Sequence, residues 1–159
     1  MSSNRDSSQP VEPVQTEQSA EYDVMGDRIR SLVRERRLTS ADLPDMLRFL
    51  ALYGERDPLV RERFANVDET VQLLVSGTPQ EQWMWLRFDH GRFGTGQGAV
   101  EQTLRVEFKD EKTMLGIMTG TMNPQVAALT GKVKVSPLAR AAPFGEFFNL
   151  MSRRLSVKL

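Results

Sequence analysis

The spacing of apolar residues predicts helices in the first 66 residues and strands after them. The first helix can be capped by Asp23. Thr39 and Asp42 have the spacing of a capping box, so we expect the second helix to begin there and to end at Gly54. Asp57 is followed by Pro, a pair that suits a cap and a first helical turn. The predicted helical segments are about 23–33, 39–54 and 57–66.

From residue 68 the hydrophobic period changes from helical to two, which is typical of strands covered on one face. Residues 91–99 are rich in glycine, and we expect a hairpin or a short edge strand with bulges there. The alternating runs are 70–75, 83–88, 100–109 and, near the C-terminus, 132–135.

Helices return after the third alternating run. They are predicted over about 111–119 and 124–129, and from about Leu138 onward. The last helix has an apolar stripe that must face other apolar groups. Its members are Phe144, Phe147, Phe148, Met151 and Leu155. Helices on both sides of an antiparallel sheet in the sequence indicate an α+β layer fold.

Composition narrows the function classes. The chain has 159 residues, no Cys and one His, so thiolate chemistry, disulfides and a three-histidine zinc site within one chain are excluded. Equal numbers of basic and acidic residues, 21 of each, provide no overall attraction to nucleic acid. Without an apolar run that could span a bilayer and without a signal peptide, we expect a cytoplasmic protein. Residues 1–22 are polar and acidic, and we expect a disordered tail.

Two segments could carry chemistry. Gly94 to Ala99 has the G-x-G-x-x-A spacing of a dinucleotide site, but a strand rather than a helix follows, so a turn or edge strand is the better explanation. His90 lies beside Asp89 at the end of a strand, and the spacing assigns it no catalytic partner, so we interpret it as a turn residue. We expect no enzyme activity, no metal and no cofactor.

Methionine is the informative residue type. Seven of the eight methionines follow the initiator, and Met114, Met118 and Met122 lie four residues apart. Met is flexible and polarisable, so such a stripe either fills a core or lines a site for apolar ligands of varied shape.

A resemblance favours the second explanation. Residues 104–135, above all the run from Met118 to Val135, resemble the sterol carrier protein family of nonspecific lipid-transfer domains. The shared features are a helix ending in Gly120, then Asn123 followed by Pro, a small residue three positions later, and a Gly-Lys-x-Lys sequence that opens the last strand. A weaker resemblance extends from about residue 57 to 151.

The resemblance implies a five-stranded, largely antiparallel sheet with helices on one face and an N-terminal helical extension. We therefore divide the chain into a tail (1–22), an extension (23–56) and a lipid-binding domain (57–159). It also implies an internal cavity for a fatty-acyl chain, sterol or isoprenoid. We expect this cavity to be lined by Leu86, Phe88, Leu104, Val106, Leu115, Met118, Met122, Phe147, Phe148 and Met151.

The alternative hypothesis is an interaction or oligomerisation module. Its core is filled, and the phenylalanines or Trp83 and Trp85 dock onto a second copy or a partner enzyme. The C-terminal end is mildly basic, with six basic residues and one acidic residue from Lys132 onward. This end is either a solvated helix face or a transient contact for anionic lipid headgroups.

Overall fold

The computed structural model describes residues 12–101 and 103–156, and the side chains of residues 20–101, 103–151 and 153. It contains six α-helices in this part of the chain, with short 3₁₀ turns before α2, β2 and α6. The helices are α1 (Glu12–Arg34), α2 (Leu43–Arg56), α3 (Pro58–Arg63), α4 (Glu111–Met118), α5 (Pro124–Leu129) and α6 (Ala142–Ser156).

Helix α1 begins earlier than its apolar stripe predicts, and the prediction that Asp23 caps it is wrong because Asp23 lies inside the helix. It starts at Glu12, so residues 12–22 of the predicted tail are helical, whereas residues 1–11 lie outside the described residues. The Tyr22 ring stacks on Phe49 of α2 at 5.5 Å between centroids, and the Arg56 guanidinium lies 4.3 Å from the Tyr22 ring. These contacts hold the part of α1 around Tyr22 against α2.

The Thr39–Asp42 capping box is present, but it caps the 3₁₀ turn Ser40–Asp42, and α2 begins directly after that turn. The Asp57 cap of α3 is confirmed, and the C-terminal ends of both helices differ from the prediction. The Asp42 carboxylate accepts a hydrogen bond from Thr39 N at 3.0 Å, and the Asp57 carboxylate accepts one from Leu59 N at 3.0 Å. Helix α2 continues past Gly54, and α3 ends three residues before Asn66. Gly54 does not terminate α2; it makes room for Phe93, since a Cβ there would lie 3.0 Å from the ring.

The five strands form one sheet in the order β3-β2-β1-β4-β5. β1 pairs antiparallel with β2 and parallel with β4, and the two outer pairs are antiparallel, so the predicted largely antiparallel sheet is confirmed. The glycine-rich segment forms the edge strand β3, as expected. The strands are β1 (Asp68–Val75), β2 (Met84–Asp89), β3 (Arg92–Gln97), β4 (Leu104–Phe108) and β5 (Val133–Ser136).

β4 begins at Leu104, four residues later than predicted. The backbone before it is hydrogen-bonded to the buried side chain of Gln72. The Gln72 amide oxygen accepts a hydrogen bond from Val100 N at 2.6 Å. Its amide nitrogen donates to the carbonyl oxygens of Met84 and Gly98, at 2.7 and 3.0 Å. Gln72 thus ties residues 98–100 to the centre of the sheet.

The helices pack on one face of the sheet around a single hydrophobic core. Ile29 of α1 and Phe49 of α2 are fully buried in the same core as Leu73 of β1 and Leu104 of β4. The helical extension and the rest of the chain therefore share one interior, and their separation into two units stays a prediction.

Candidate ligand-binding site

A cluster of phenylalanine rings fills the space between α6 and the sheet. At its centre is Phe147, which is fully buried. Its ring centroid lies 5.6 Å from Phe64, 5.3 Å from Phe88 and 5.2 Å from Phe93. These separations are those of aromatic pairs in direct contact. The phenylalanine cluster, as we call these four residues, leaves no room for a ligand at this point without movement of α6.

The ten residues predicted to line a cavity all lie in the core between the helices and the sheet. Most of them are buried and pack against one another, whereas Leu115 and Met122 are partly buried. The buried ones are Leu86, Phe88, Leu104, Val106, Met118, Phe147, Phe148 and Met151. The side chain of Leu155, the last member of the α6 stripe, lies outside the described residues.

An open cleft of about 410 Å³ lies between α4, α5 and α6, and we call it the α6 cleft. Two of the ten predicted residues, Met122 and Phe148, line it. Its other lining residues are Ile117, Gly120, Asn123, Pro124, Asn149 and Arg153.

The turn between α4 and α5, which forms part of this cleft, has the two features expected from the sequence. Gly120 ends α4 with φ 81°, a conformation that favours glycine, and Met122 N then donates a hydrogen bond to the Gly116 carbonyl oxygen at 2.9 Å. The Asn123 side-chain oxygen caps α5 by accepting from Gln125 N at 2.8 Å.

A second opening of about 380 Å³, the α2 groove, lies at the opposite end of α4 and was not predicted. Its floor includes the buried residues Leu73, Met84 and Met114, and its rim includes Gln82 and Gln97. The only sequence signal for it is the methionine stripe. Met114 lines the α2 groove, Met122 lines the α6 cleft, and buried Met118 lies between them along the chain.

His90 is an exposed turn residue, as interpreted from the sequence. Its φ is 52°, and its Nδ1 lies 3.0 Å from the Asp89 carboxylate. That hydrogen bond holds the pKa of Asp89 below its usual range. The neighbouring glycines belong to strand β3, not to a strand-to-helix turn, so they do not form a dinucleotide site.

The side chains expected to mediate docking are only partly exposed. Phe144, Phe147 and Phe148 are all buried, so the phenylalanine stripe is not a surface. Trp83 and Trp85 are half-buried. Trp83 donates a hydrogen bond to the Thr78 carbonyl oxygen at 3.1 Å, and the Arg105 guanidinium lies 4.9 Å from its ring.

The charges of the C-terminal end are partly neutralised within the chain. Arg140 pairs with the Glu69 carboxylate, and this hydrogen bond raises the pKa of Arg140. Lys132 and Lys134 are exposed. Within the described residues, the helices include none with the length and apolar character needed to cross a bilayer.

The fold is that of sterol carrier proteins. The chain is similar to a crystal structure of sterol carrier protein 2, with a TM-score of 0.53 and 16% identity over 67% of this chain and 93% of that one. It is also similar to the sterol carrier protein domain 2 of Helicoverpa armigera, with a TM-score of 0.53 and 15% identity over 67% of this chain and 84% of that one.

The same fold occurs within a larger enzyme. A stereoselective inverting sec-alkylsulfatase from Pseudomonas sp. matches 72% of this chain with a TM-score of 0.53 and 21% identity, and the match spans 16% of the sulfatase. No protein-family model and no curated protein matches the sequence. At these identities the comparisons establish the fold, as the resemblance in the sequence predicts.

Proposed function

We propose that this chain, which has the sterol carrier fold, binds an apolar ligand and carries it without chemical change. The ligand class is a fatty-acyl chain, a sterol or an isoprenoid. The observation that supports the proposal is the α6 cleft, about 410 Å³ in volume, which Met122 and Phe148 line. Ligand pockets in proteins typically measure about 300–1,000 Å³.

Apolar burial can supply the driving force for binding in such a site. Each Å² removed from water contributes about 25 cal/mol, so burying about 300 Å² of a chain contributes about 7–8 kcal/mol. Before the costs of binding are subtracted, this corresponds to a dissociation constant on the order of micromolar. No nucleophile, metal or cofactor is needed for this function.

Entry of a long ligand requires α6 to move. In the resting structure Phe148 borders the α6 cleft, and Phe147, its neighbour, fills the space behind it. Displacing α6 would expose the predicted lining, including Met118 and Met151. Met side chains can adapt to the ligand because they are unbranched and rotate freely.

The test is titration with a fluorescent long-chain fatty acid, together with mass spectrometry of lipids extracted from the purified protein. Asn149→Trp narrows the α6 cleft and should weaken binding about tenfold, which corresponds to about 1.4 kcal/mol. Gln82→Trp is the matched control, because Gln82 is an exposed residue on the rim of the α2 groove. It should bind as the natural protein does.

Absence of both extracted lipid and saturable uptake would refute the proposal. Weaker binding in Gln82→Trp, with normal binding in Asn149→Trp, would instead assign the ligand to the α2 groove. In that case the ten predicted lining residues would be wrong, and the carrier function would stand.

A second candidate function is a docking module, for which the phenylalanine cluster is the supporting observation. A core filled by its own side chains needs no ligand, and a similar fold forms part of the much larger sulfatase chain. On this hypothesis the half-buried Trp83 and Trp85 contact a second copy or a partner enzyme. Sedimentation at several concentrations tests it, since a mass that rises with concentration, without bound lipid, is its expected result.

A further inference from the structure

The edge strand β3 has backbone groups that point away from the sheet. Gly98 N donates a hydrogen bond to the Trp83 carbonyl oxygen at 2.7 Å, which fixes the ladder between β3 and β2. Because the bonded positions alternate in an antiparallel pair, the N–H and C=O groups of Phe93, Thr95 and Gln97 face away from β2. Within the described part of the chain β3 is the last strand on this side of the sheet, so these groups meet no further strand.

Helix α2 runs beside this edge and covers only one end of it. The Glu55 carboxylate accepts a hydrogen bond from Phe93 N at 2.9 Å, which satisfies the first of the outward groups. At the other end of β3 an opening of about 200 Å³ separates the strand from α2. The opening is lined by Pro44, Leu47, Met84, Thr95, Gly96 and Gln97.

This opening has an apolar floor. Leu47 and Met84 are both buried, and they lie beneath the backbone of the edge strand. The opening shares Pro44, Met84 and Gln97 with the α2 groove, so the apolar surface continues from β3 toward α4. Unpaired strand backbone and an apolar pocket therefore lie side by side.

β3 lacks the features by which proteins usually prevent pairing at a sheet edge. Such strands are often short or carry lysine or proline. The strand at the opposite edge, β5, has four residues, contains Lys134 and is followed by Pro137. β3 has six residues, and Arg92, the charged residue in its sequence, lies at the hairpin end. The end that carries Thr95 and Gln97 is therefore accessible to an additional strand.

We infer that the space between β3 and the start of α2, which we call the β3 edge groove, binds an extended peptide segment of another protein as a sixth strand. In this mode of recognition main-chain hydrogen bonds supply affinity, and pockets for alternate side chains supply specificity. Thr95 and Gln97 provide the main-chain groups. The pocket over Leu47 and Met84 receives a large apolar side chain, so the segment carries such residues at every second position.

The residues of β3 favour a foreign segment over a second copy of this chain. Phe93, Thr95 and Gln97 lie on the same face of β3, because side chains alternate along a strand. Phe93 is buried in its own core. A second copy paired through β3 would thus present only a threonine and a glutamine, which do not fill an apolar pocket. The β3 edge groove and the α6 cleft have no lining residue in common, so the inference does not rest on the proposed function.

The probes are three short synthetic peptides in which threonine alternates with leucine, valine or phenylalanine, with lysine at both ends and a fluorescein label. At least one should bind saturably in a polarisation titration. Thr95→Pro removes an outward N–H without breaking a hydrogen bond to β2, so it should weaken binding about tenfold. Thr95→Val keeps the N–H and the shape of the side chain, and it should bind as the natural protein does. Urea unfolding of both variants checks that each is folded.

Methylated peptides test the same contact without any change to the protein. N-methylation of every second amide removes the donors along one edge of an extended peptide. Of the two complementary methylated sets, one should lose binding and the other should keep it, because only one edge of the peptide faces β3.

Amide hydrogen exchange locates the contact. The amides of Thr95 and Gln97 should exchange rapidly in the free protein and become protected when the peptide binds. The amides of Gly94 and Gly96, which face β2, should be protected in both states.

Three results would overturn the inference. The first is no saturable binding by any of the three peptides, and the second is binding that both methylated sets retain or both lose. The third is a free protein whose sedimentation mass rises with concentration and falls to that of a monomer in Thr95→Pro, which would make β3 a contact between two copies.

Discussion

Removal of the Phe147 ring should destabilise the protein more than removal of the Phe144 ring on the same helix. Both phenylalanines are buried in α6. Phe147 lies at the centre of the phenylalanine cluster, whereas the Phe144 ring packs on Phe148, with 4.9 Å between the ring centroids. The comparison therefore changes the same residue type in the same helix and varies only the surroundings of the ring.

The contacts of each ring determine the expected loss in the free energy of unfolding. Replacing a buried Phe by Ala costs about 3–5 kcal/mol, and an aromatic pair contributes about 0.5–1.5 kcal/mol beyond its buried area. Phe147→Ala breaks the contacts with Phe64, Phe88 and Phe93, so we expect about 4–5 kcal/mol. For Phe144→Ala we expect about 3 kcal/mol.

Urea unfolding followed by tryptophan fluorescence measures both values. For a chain of this size the Phe147→Ala loss corresponds to a melting temperature lower by about 8–20 °C. If the ligand enters beneath α6, the same variant should also take up the fluorescent fatty acid more tightly, because its cavity replaces the ring that a ligand must otherwise displace.

Equal destabilisation by the two substitutions would contradict the argument, since it would mean that the rings around Phe147 are not packed as described. If Phe147→Ala loses the expected stability but does not bind the fatty acid more tightly, the packing of the rings is supported and ligand entry beneath α6 is not.

Two further predictions concern the edge strand and a helix cap. Gly96→Ala should cost about 1–3 kcal/mol in urea unfolding, because its Cβ would lie 2.4 Å from the Trp85 ring, whereas Gly94→Ala, with its nearest atoms at 3.7 Å, should change stability by less than about 0.5 kcal/mol. Similar losses in both variants would show that Trp85 does not lie against this strand. The hydrogen bonds from Thr113 hold the pKa of Asp110 below its usual value, so the stabilisation by the charged cap is complete at neutral pH and is lost as pH falls through that lowered pKa. Asp110→Asn keeps an acceptor but does not titrate, so its urea midpoint should fall less than that of the natural protein between pH 6 and pH 3; parallel falls would contradict the assignment.

Local signals in the sequence were sufficient to predict the helices and turns around the α6 cleft. The range of α5 is as predicted, because Asn123 followed by Pro fixes its start and Gly131, with φ 77°, lies just beyond its end. The edge position of β3 was also predictable, since glycines at that density do not pack a central strand.

The features that sequence reasoning missed depend on contacts between distant residues. The packing of Tyr22 on Phe49 joins α1 to α2, and the late start of β4 accompanies the hydrogen bond from Val100 N to Gln72. The α2 groove is formed where residues near 40–44, 73–84 and 111–114 meet, and Met114 of the methionine stripe is its one signal in the sequence. For the same reason the sequence could not reveal that the predicted lining residues fill their own space.

The parallel pairing of β1 with β4 has a consequence for how the chain reaches its native state. β1, β2 and β3 follow one another and pair with their sequence neighbours, so they can assemble early from short loops. The other edge of β1 has to wait for β4, which lies on the far side of that meander in the sequence. During synthesis, the edge of β1 that later pairs with β4 therefore stays open until Phe108 has left the ribosome. Over that interval the nascent chain is open to pairing with other chains, so we expect refolding yield to fall as protein concentration rises.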